Sequence, residues 1–111
     1  MTISTHNNFI IVKEKSNDLK NFIFLLKPLL YNQLKDKNLI IDLLDYQLMS
    51  LNDLSLFQKI SDEYKEANKS FLVVTNSLNA NELPEEIIVV PTIQEAEDII
   101  EMEEIERELG F

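Results

Sequence analysis

Three short apolar runs, set among amphipathic segments, limit the folds that this chain can adopt. The runs are NLIIDLL (38–44), KSFLVVT (69–75) and IIVV (87–90). Nearly continuous apolar runs of this length are typical of parallel strands that are covered on both faces. Helical patterns precede the first run, separate the first two and follow the last, which indicates right-handed crossovers between strands. The sequence therefore predicts an α/β domain.

Three segments have the apolar spacing of amphipathic helices. The first is SNDLKNFIFLLKPLLYNQLKDK, with Asn17 or Asp18 as its N-cap. Pro28 inside it is expected to kink or break the helix, because proline lacks an amide donor and crowds the preceding turn. The second is SLNDLSLFQKISDEYKEAN, and the third, TIQEAEDIIEMEEIEREL, begins with Thr92 and Glu95 at the spacing of a capping box. The residues expected to face the core are Leu19, Phe22, Ile23, Leu26, Leu30 and Leu34 in the first helix, and Leu54, Phe57, Ile60, Tyr64 and Ala67 in the second.

The amino-terminal segments TIS and FIIVKEK are expected to pair as an antiparallel ribbon around THNN, whose asparagines tolerate turn conformations. The predicted order is β-β-α-β-α-β-(α)-β-α, where the helix in parentheses is one optional turn in the polar connection before IIVV. This order gives a mixed sheet of about five strands, mostly parallel with one antiparallel edge. No repeat, linker or shift in composition divides the chain, so residues 1–111 are predicted to form a single domain.

The acidic segment 92–111 carries two apolar stripes on roughly opposite sides of one helix. The first stripe is Ile93, Ala96 and Ile100, and the second is Met102, Ile105, Leu109 and Phe111. A single straight helix cannot turn both stripes towards one sheet. Either the helix bends near Glu101, or the second stripe faces a partner, for which a second copy bound through this helix is a candidate. In the first helix, Phe24 and Tyr31 lie off the core face and are either scattered surface aromatics or an exposed patch.

The charge balance argues against several classes of partner. Twenty Asp and Glu residues against ten Lys and Arg residues give a formal net charge of −10. Such a chain repels phosphate backbones and anionic membrane surfaces, so neither nucleic acid nor a membrane is an expected partner. No apolar run is long enough to span a bilayer, and the polar start MTISTHNN does not resemble a signal peptide, so a cytoplasmic location is expected.

Residues for catalysis are also scarce. The chain has no cysteine, its single histidine, His6, lies in a polar turn, and its single glycine, Gly110, lies near the carboxyl end. Thiolate chemistry, a multi-ligand metal centre and a phosphate-cradling glycine loop are therefore not expected. Asp42 and Asp45 lie in and after a predicted strand, but nothing else converges on them. We therefore predict no catalytic residue, no metal and no cofactor.

The stretch NLIIDLLDYQLMSLNDLSLFQKISDEYKEANKSFLVVT resembles the central part of the STAS domain, found in sulphate transporters and bacterial anti-sigma factor antagonists. In that family, a strand ending in an Asp-containing apolar run leads to the motif D-S-[ST]-G-L at the start of a helix. A later strand is followed by Pro-Thr or Pro-Ser and a helix beginning with Glu-Ala. The equivalents here are IIDL (40–43), SLNDL (50–54), FLVV (71–74) and VVPTIQEAED (89–98). The match covers most of the chain from residue 38, and the amino-terminal third matches only in outline.

The ending MEEIERELGF also looks like that of small STAS-like proteins of Bacteroidota. The resemblance implies a single STAS-like domain with helices packed mainly on one face of the sheet.

The loop that is phosphorylated in this family differs here. Ser50 stands at the position of the family's Asp, Leu51 at the phosphoacceptor Ser, Asn52 at the next Ser or Thr, and Asp53 at the Gly. Leucine has no hydroxyl, and Asp53 would repel an incoming phosphate. The resemblance therefore implies that Leu51 marks a lost phosphorylation site. Ser50 is instead predicted to be the N-cap of the helix, with Asp53 as its acidic N3 residue. The alternative is that Ser50 serves as a displaced phosphoacceptor.

The expected function is that of a non-catalytic interaction module of the anti-sigma factor antagonist type, with a regulatory role. Its protein partner is expected to present a basic or apolar surface. The candidate partner-binding residues are Tyr46, Leu48, Ser50, Leu51, Asn52, Asp53 and Leu56.

Two alternatives stay open. Some relatives of this kind are named after ribonuclease Z, a two-metal nuclease, and the chain could be an accessory subunit of such an enzyme or carry its name by association. A chain with one histidine cannot build the metal cluster of that enzyme. The other alternative is a STAS-like domain that binds a small ligand in the crevice at the strand ends.

Overall fold

The strands follow the apolar runs of the sequence. The computed structural model describes residues 1–15, 18–34, 36–46, 50–78, 83 and 86–110. The strands in this part of the chain are β1 (Thr2–Thr5), β2 (Phe9–Lys13), β3 (Asn38–Asp42), β4 (Phe71–Val74) and β5 (Ile88–Val90). Every residue of β3 and β4 is buried, as expected for parallel strands covered on both faces.

Within the described residues, the strands form one sheet in the order β1-β2-β3-β4-β5. β1 and β2 are antiparallel, and the other three pairs are parallel. The register places Lys13 of β2 beside Asp42 of β3, so that both lie at the carboxyl edge of the sheet. The prediction of a mixed, mostly parallel sheet of five strands with one antiparallel edge is confirmed.

The helices are α1 (Leu19–Leu29), α2 (Leu51–Ser55), α3 (Gln58–Glu66) and α4 (Ile93–Glu108). Asp18 is the N-cap of α1, because its carboxylate accepts from the Asn21 amide at 3.0 Å. The α-helical pattern ends one residue after Pro28 and continues as a π-helical turn, Leu30–Leu34. Proline has no amide hydrogen to donate, so the regular hydrogen-bond ladder is interrupted where the helix changes type.

The second predicted helix is divided in two. The Phe57 amide donates to the Leu54 carbonyl at 2.9 Å. This hydrogen bond joins residues three apart, as in a 3₁₀ turn, and not four apart as in an α-helix. The helix α3 begins at the next residue, Gln58. Ala67, predicted to face the core, is exposed after the end of α3. Asn68 follows in the left-handed region, with φ of 58°, which asparagine tolerates better than most residues. Residues 76–78, 83, 86 and 87 of the connection to β5 are not helical.

Two hydrophobic clusters cover the two faces of the sheet. Leu39, Ile41 and Val73 belong to the larger cluster, with buried side chains of α1, α2 and α3. Ile40, Leu72 and Val74 belong to the smaller cluster, with Ala96 and Ile100 of α4. Since successive residues of a strand point to opposite faces, α4 lies on the other side of the sheet from the remaining described helices. The helices are thus packed mainly on one face.

None of the helices in the described ranges has the length and apolar content needed to cross a membrane.

Candidate partner-binding loop and helix start

The segment between β3 and α2 leaves the sheet at its carboxyl edge, next to β4. The Leu43 amide donates to the Val74 carbonyl at 2.8 Å, which continues the pairing one residue beyond β3. The Asp42 carboxylate then accepts from the Leu44 amide at 3.0 Å, and the Tyr46 amide donates to the Leu43 carbonyl. Asp42 is buried and holds this turn. The burial of Asp42 is therefore explained by the hydrogen bond that its carboxylate makes to the backbone of this turn.

Tyr46 is buried in the larger cluster, although the sequence predicts it as a partner-binding residue. Burial raises the pKa of its phenol, and the negative charge of Asp53 adds to the shift, while a hydrogen bond with the Leu19 backbone opposes it. The ring therefore connects the loop to the start of α1. Tyr46 can position the loop, but its side chain is not on the surface that a partner would meet.

Ser50 and Asp53 form the predicted capping box at the start of α2. The Ser50 hydroxyl accepts from the Asp53 amide at 3.2 Å, and the Asp53 carboxylate accepts from the Ser50 amide at 2.9 Å. Both bonds satisfy amides that a helix start leaves without partners. The prediction of an N-cap with an acidic N3 residue is confirmed.

The exposed residues of this helix start surround one apolar side chain. Leu51 is 43% exposed, and Asn52 and Ser55 beside it are also exposed. The Ser55 hydroxyl donates to the Asn52 carbonyl at 2.6 Å. Leu54 is buried beneath this turn, and Leu56 is half-buried. The helix start thus offers Leu51 to solvent from a turn that is fixed by its own cap and by the core below it.

Leu48 lies outside the described residues, as does Phe111 of the predicted association stripe. The rest of that stripe, Met102, Ile105 and Leu109, is exposed. The helical pattern of α4 is continuous from Ile93 to Glu108 and runs through Glu101. The N-cap predicted for this helix is confirmed, because the Thr92 hydroxyl accepts from the Glu95 amide at 3.1 Å.

A charged group at the same edge of the sheet was not predicted from the sequence. Lys13 Nζ lies 3.0 Å from Asp45 Oδ2, and the hydrogen bond with Asp45 raises the pKa of Lys13. Beside them, the chain's amino group lies 3.6 Å from the Glu14 carboxylate. These residues line a surface cavity of about 670 Å³ together with Thr2 and Lys15. The signal that could have found the group is the strand register, which places the end of β2 beside the end of β3.

A second polar network lies at the opposite, amino edge of the sheet. The Asn38 side-chain amide donates to Glu104, and its oxygen accepts from the Ser70 amide at 2.7 Å. Arg107 of α4 donates to the Asn38 oxygen at 3.3 Å, to the Ser70 hydroxyl at 3.2 Å and to Glu104 at 3.3 Å. The Ser70 hydroxyl donates in turn to Glu103. The network fastens the end of α4 to the starts of β3 and β4.

The residues that could support metal chemistry do not converge. No group of three or more His, Asp or Glu side chains suited to a metal ion occurs within the ranges that the structure describes. His6 stacks on Phe9, with ring centroids 4.6 Å apart, and its Nε2 lies 2.9 Å from the Ser4 hydroxyl. These contacts place His6 in the β1–β2 turn.

No model of a known protein family matches the chain, and no curated protein matches it significantly.

Proposed function

We propose that the protein is a non-catalytic interaction module, similar to the STAS domains of anti-sigma factor antagonists, that binds a protein partner through the start of α2. The observation that carries the proposal is the capping box, which occupies Ser50 and Asp53 and leaves Leu51 exposed between them. A fixed helix start with an exposed leucine is suited to packing against an apolar partner surface.

The same observation supports a role without phosphorylation. Leu51 stands at the position of the phosphoacceptor in the family that the sequence resembles, and its side chain has no hydroxyl. The Ser50 hydroxyl already accepts from the Asp53 amide, and the Asp53 carboxylate accepts from the Ser50 amide. A phosphate on Ser50 would therefore be repelled by a negative charge bound to the same residue. We therefore propose binding that is constitutive in this loop, without a phosphorylation switch.

The charge of the chain indicates the kind of partner. With a net charge of −10, the protein attracts a basic surface more readily than an acidic one. Asp45, which is exposed, precedes this segment in the chain, and Asp53, which is half-buried, lies at its helix start. The proposed partner is therefore a cytoplasmic protein that presents an apolar pocket with a basic rim.

The experiment combines chemical cross-linking in extracts of the source cells with calorimetry on the purified partner. Leu51→Arg is expected to weaken binding at least tenfold, about 1.4 kcal/mol, because a cation replaces the apolar contact. Ile3→Arg is the matched control, since Ile3 has a similar exposure, 40%, and lies on β1, away from this loop.

Equal affinity of the wild type and Leu51→Arg would contradict the proposed surface. A phosphate found on Ser50 by mass spectrometry, after incubation with extract and ATP, would contradict the absence of a switch.

A further inference from the structure

The outer side of α1 carries a continuous apolar surface. Phe24 is 74% exposed and Tyr31 is 60% exposed. Together with Leu25, Lys27 and Pro28 they line one shallow depression, which we call the α1 surface. The aromatic residues are therefore not scattered, and an exposed apolar patch of this kind on a small domain indicates an interaction site.

A cleft adjoins the α1 surface at Tyr31. It has a volume of about 270 Å³ and lies between α3 and the π-helical turn that follows α1. Its lining is mostly apolar, with Leu30, Tyr64 and Ala67, and includes the carboxylate-bearing Glu63. Tyr64 is buried at the base of this cleft, and burial raises the pKa of its phenol. The cleft gives the α1 surface a recess that can receive an apolar side chain.

The charged side chains of α1 itself are positive, whereas Glu63 of α3 lines the adjoining cleft. Lys20 and Lys27 are the only charged residues between positions 19 and 34, and both are exposed. Lys20, Phe24, Lys27 and Tyr31 follow one another at spacings of four, three and four residues, so cations and aromatic rings alternate along one side of the helix. This surface is locally basic in a chain that is strongly acidic.

The outer side of α4 has the complementary pattern. Met102, Ile105 and Leu109, which we call the α4 stripe, each expose half or more of the side chain. The α4 helix contains eight Asp and Glu residues against the single Arg107. Exposed carboxylates flank the stripe: Asp98, Glu101, Glu106 and Glu108. A surface suited to this stripe combines apolar side chains with cations beside them, as the α1 surface does.

The two surfaces cannot meet within one molecule. The buried side of α1 packs in the larger cluster and that of α4 in the smaller cluster, on opposite faces of the sheet. Their exposed sides therefore point away from each other. Only a second copy of the chain can bring an α4 stripe onto an α1 surface.

We infer that copies of this protein associate head to tail, with the α4 stripe of one copy on the α1 surface of the next. Unless a ring closes, one α1 surface and one α4 stripe stay free at the two ends of the assembly. Such a heterologous contact forms open stacks or closed rings, unlike a symmetrical dimer. The inference does not depend on partner binding at the start of α2.

Sedimentation velocity over a range of protein concentrations tests the inference with two double variants. Phe24→Ser with Tyr31→Ser removes the α1 surface, and Met102→Ser with Ile105→Ser removes the α4 stripe. The wild type is expected to form larger species as its concentration rises, and each variant alone is expected to stay monomeric. All four side chains are exposed, so the circular dichroism spectra are expected to be unchanged.

Mixing the two variants distinguishes a head-to-tail contact from a symmetrical one. Each variant keeps the surface that the other has lost, so an equimolar mixture is expected to form pairs and nothing larger. A mixture that stays monomeric would overturn the inference. So would a wild type that stays monomeric up to millimolar concentration, or an assembly that is lost on changing α4 but kept on changing α1.

A charge variant tests the complementarity without altering any apolar residue. Lys20→Glu with Lys27→Glu is expected to weaken association at least tenfold. Lys15→Glu with Lys37→Glu changes the net charge equally at positions away from both helices, and it is expected to have a smaller effect. Equal effects of the two charge variants would show that only overall repulsion acts, and would contradict the pairing of basic and acidic surfaces.

Discussion

Arg107 is the only arginine of the chain, and its guanidinium holds together residues from three separate segments. It donates to Asn38 at the start of β3, to Ser70 before β4 and to Glu104 on its own helix. Arginine suits this position because its planar group offers several donors in fixed directions. The hydrogen bond from Asn38 and the charge of Arg107 hold the pKa of Glu104 below its ordinary value, although partial burial opposes the shift.

The lowered pKa of Glu104 predicts an acid-sensitive contribution to stability. The Glu104 carboxylate binds a proton less readily in the folded state than in the unfolded state. Its ionised form therefore stabilises the fold, and this stabilisation is complete above the ordinary pKa of glutamate. It is lost as the pH falls through the lowered value. Urea unfolding of the wild type is therefore expected to lose more free energy between about pH 6 and about pH 3 than unfolding of Glu104→Gln.

Glu106→Gln is the matched control, because Glu106 is exposed on the same helix. It is expected to follow the wild-type pH dependence. If Glu104→Gln and Glu106→Gln have the same pH dependence, the network does not act through the charge of Glu104.

At the scale of the elements, α2 is a short helix whose geometry depends on the residue that caps it, Ser50. It has five residues, too few to be stable through its own hydrogen bonds. The capping box at its start and buried Leu54 beneath it hold it in place. The orientation of Leu51, and with it the proposed binding surface, follows from this local support.

Ser50→Ala is expected to lower the free energy of unfolding by about 1 kcal/mol, because the Asp53 amide loses its acceptor. Ser50→Asp keeps an acceptor at the same position and is expected to retain most of the stability. Urea unfolding monitored by circular dichroism measures both. If Ser50→Asp lowers the free energy of unfolding as much as Ser50→Ala does, the lost stability does not come from the capping hydrogen bond.

At the scale of the whole molecule, an aromatic cluster joins α1, the α2–α3 junction and β4. The ring of Phe57 lies 6.4 Å from that of Phe22 and 6.1 Å from that of Phe71, between centroids, and Phe22 and Phe57 are completely buried. These rings lie in the larger of the two clusters, where three of the described helices meet the sheet. This face therefore carries most of the apolar burial.

Phe57→Ala is expected to lower the free energy of unfolding by about 3–5 kcal/mol, since it removes a fully buried ring and leaves a cavity. The total for a domain of this size is about 5–15 kcal/mol, so the variant should be close to unfolding at 25 °C. Phe57→Leu is expected to lose clearly less. A loss below about 1 kcal/mol in Phe57→Ala, measured by urea unfolding, would show that the cluster is not central.

The features that can be predicted from the sequence are those set by residues close together in the chain. The buried strands follow from local apolar runs, and the caps at Asp18, Ser50 and Thr92 follow from the spacing of a few residues. The break at Phe57 could not be predicted in the same way, because a continuous helix and a divided one give the same apolar spacing there. Its position follows from packing against Phe22 and Phe71, which are distant in the chain.

The candidate site was predicted in part for the same reason. The sequence identifies the capping pair and the exposed Leu51, but the burial of Tyr46 depends on contacts with the start of α1. The Asn38–Ser70–Arg107 network joins positions 32 and 37 residues apart, and no local pattern of charges indicates it. The positive charge of α1 can be read from the sequence. That α1 and α4 lie on opposite faces of the sheet becomes apparent only from the folded structure.

The order of the strands in the sheet is also their order along the chain. During synthesis, each parallel strand can therefore add to an edge that has already left the ribosome, and none has to insert between two paired neighbours. The helix α4 follows β5 in the chain and covers Ile40, Leu72 and Val74. Until α4 has been made, this face of the sheet is exposed to water. We therefore expect a nascent chain stalled before α4 to bind chaperones through this face.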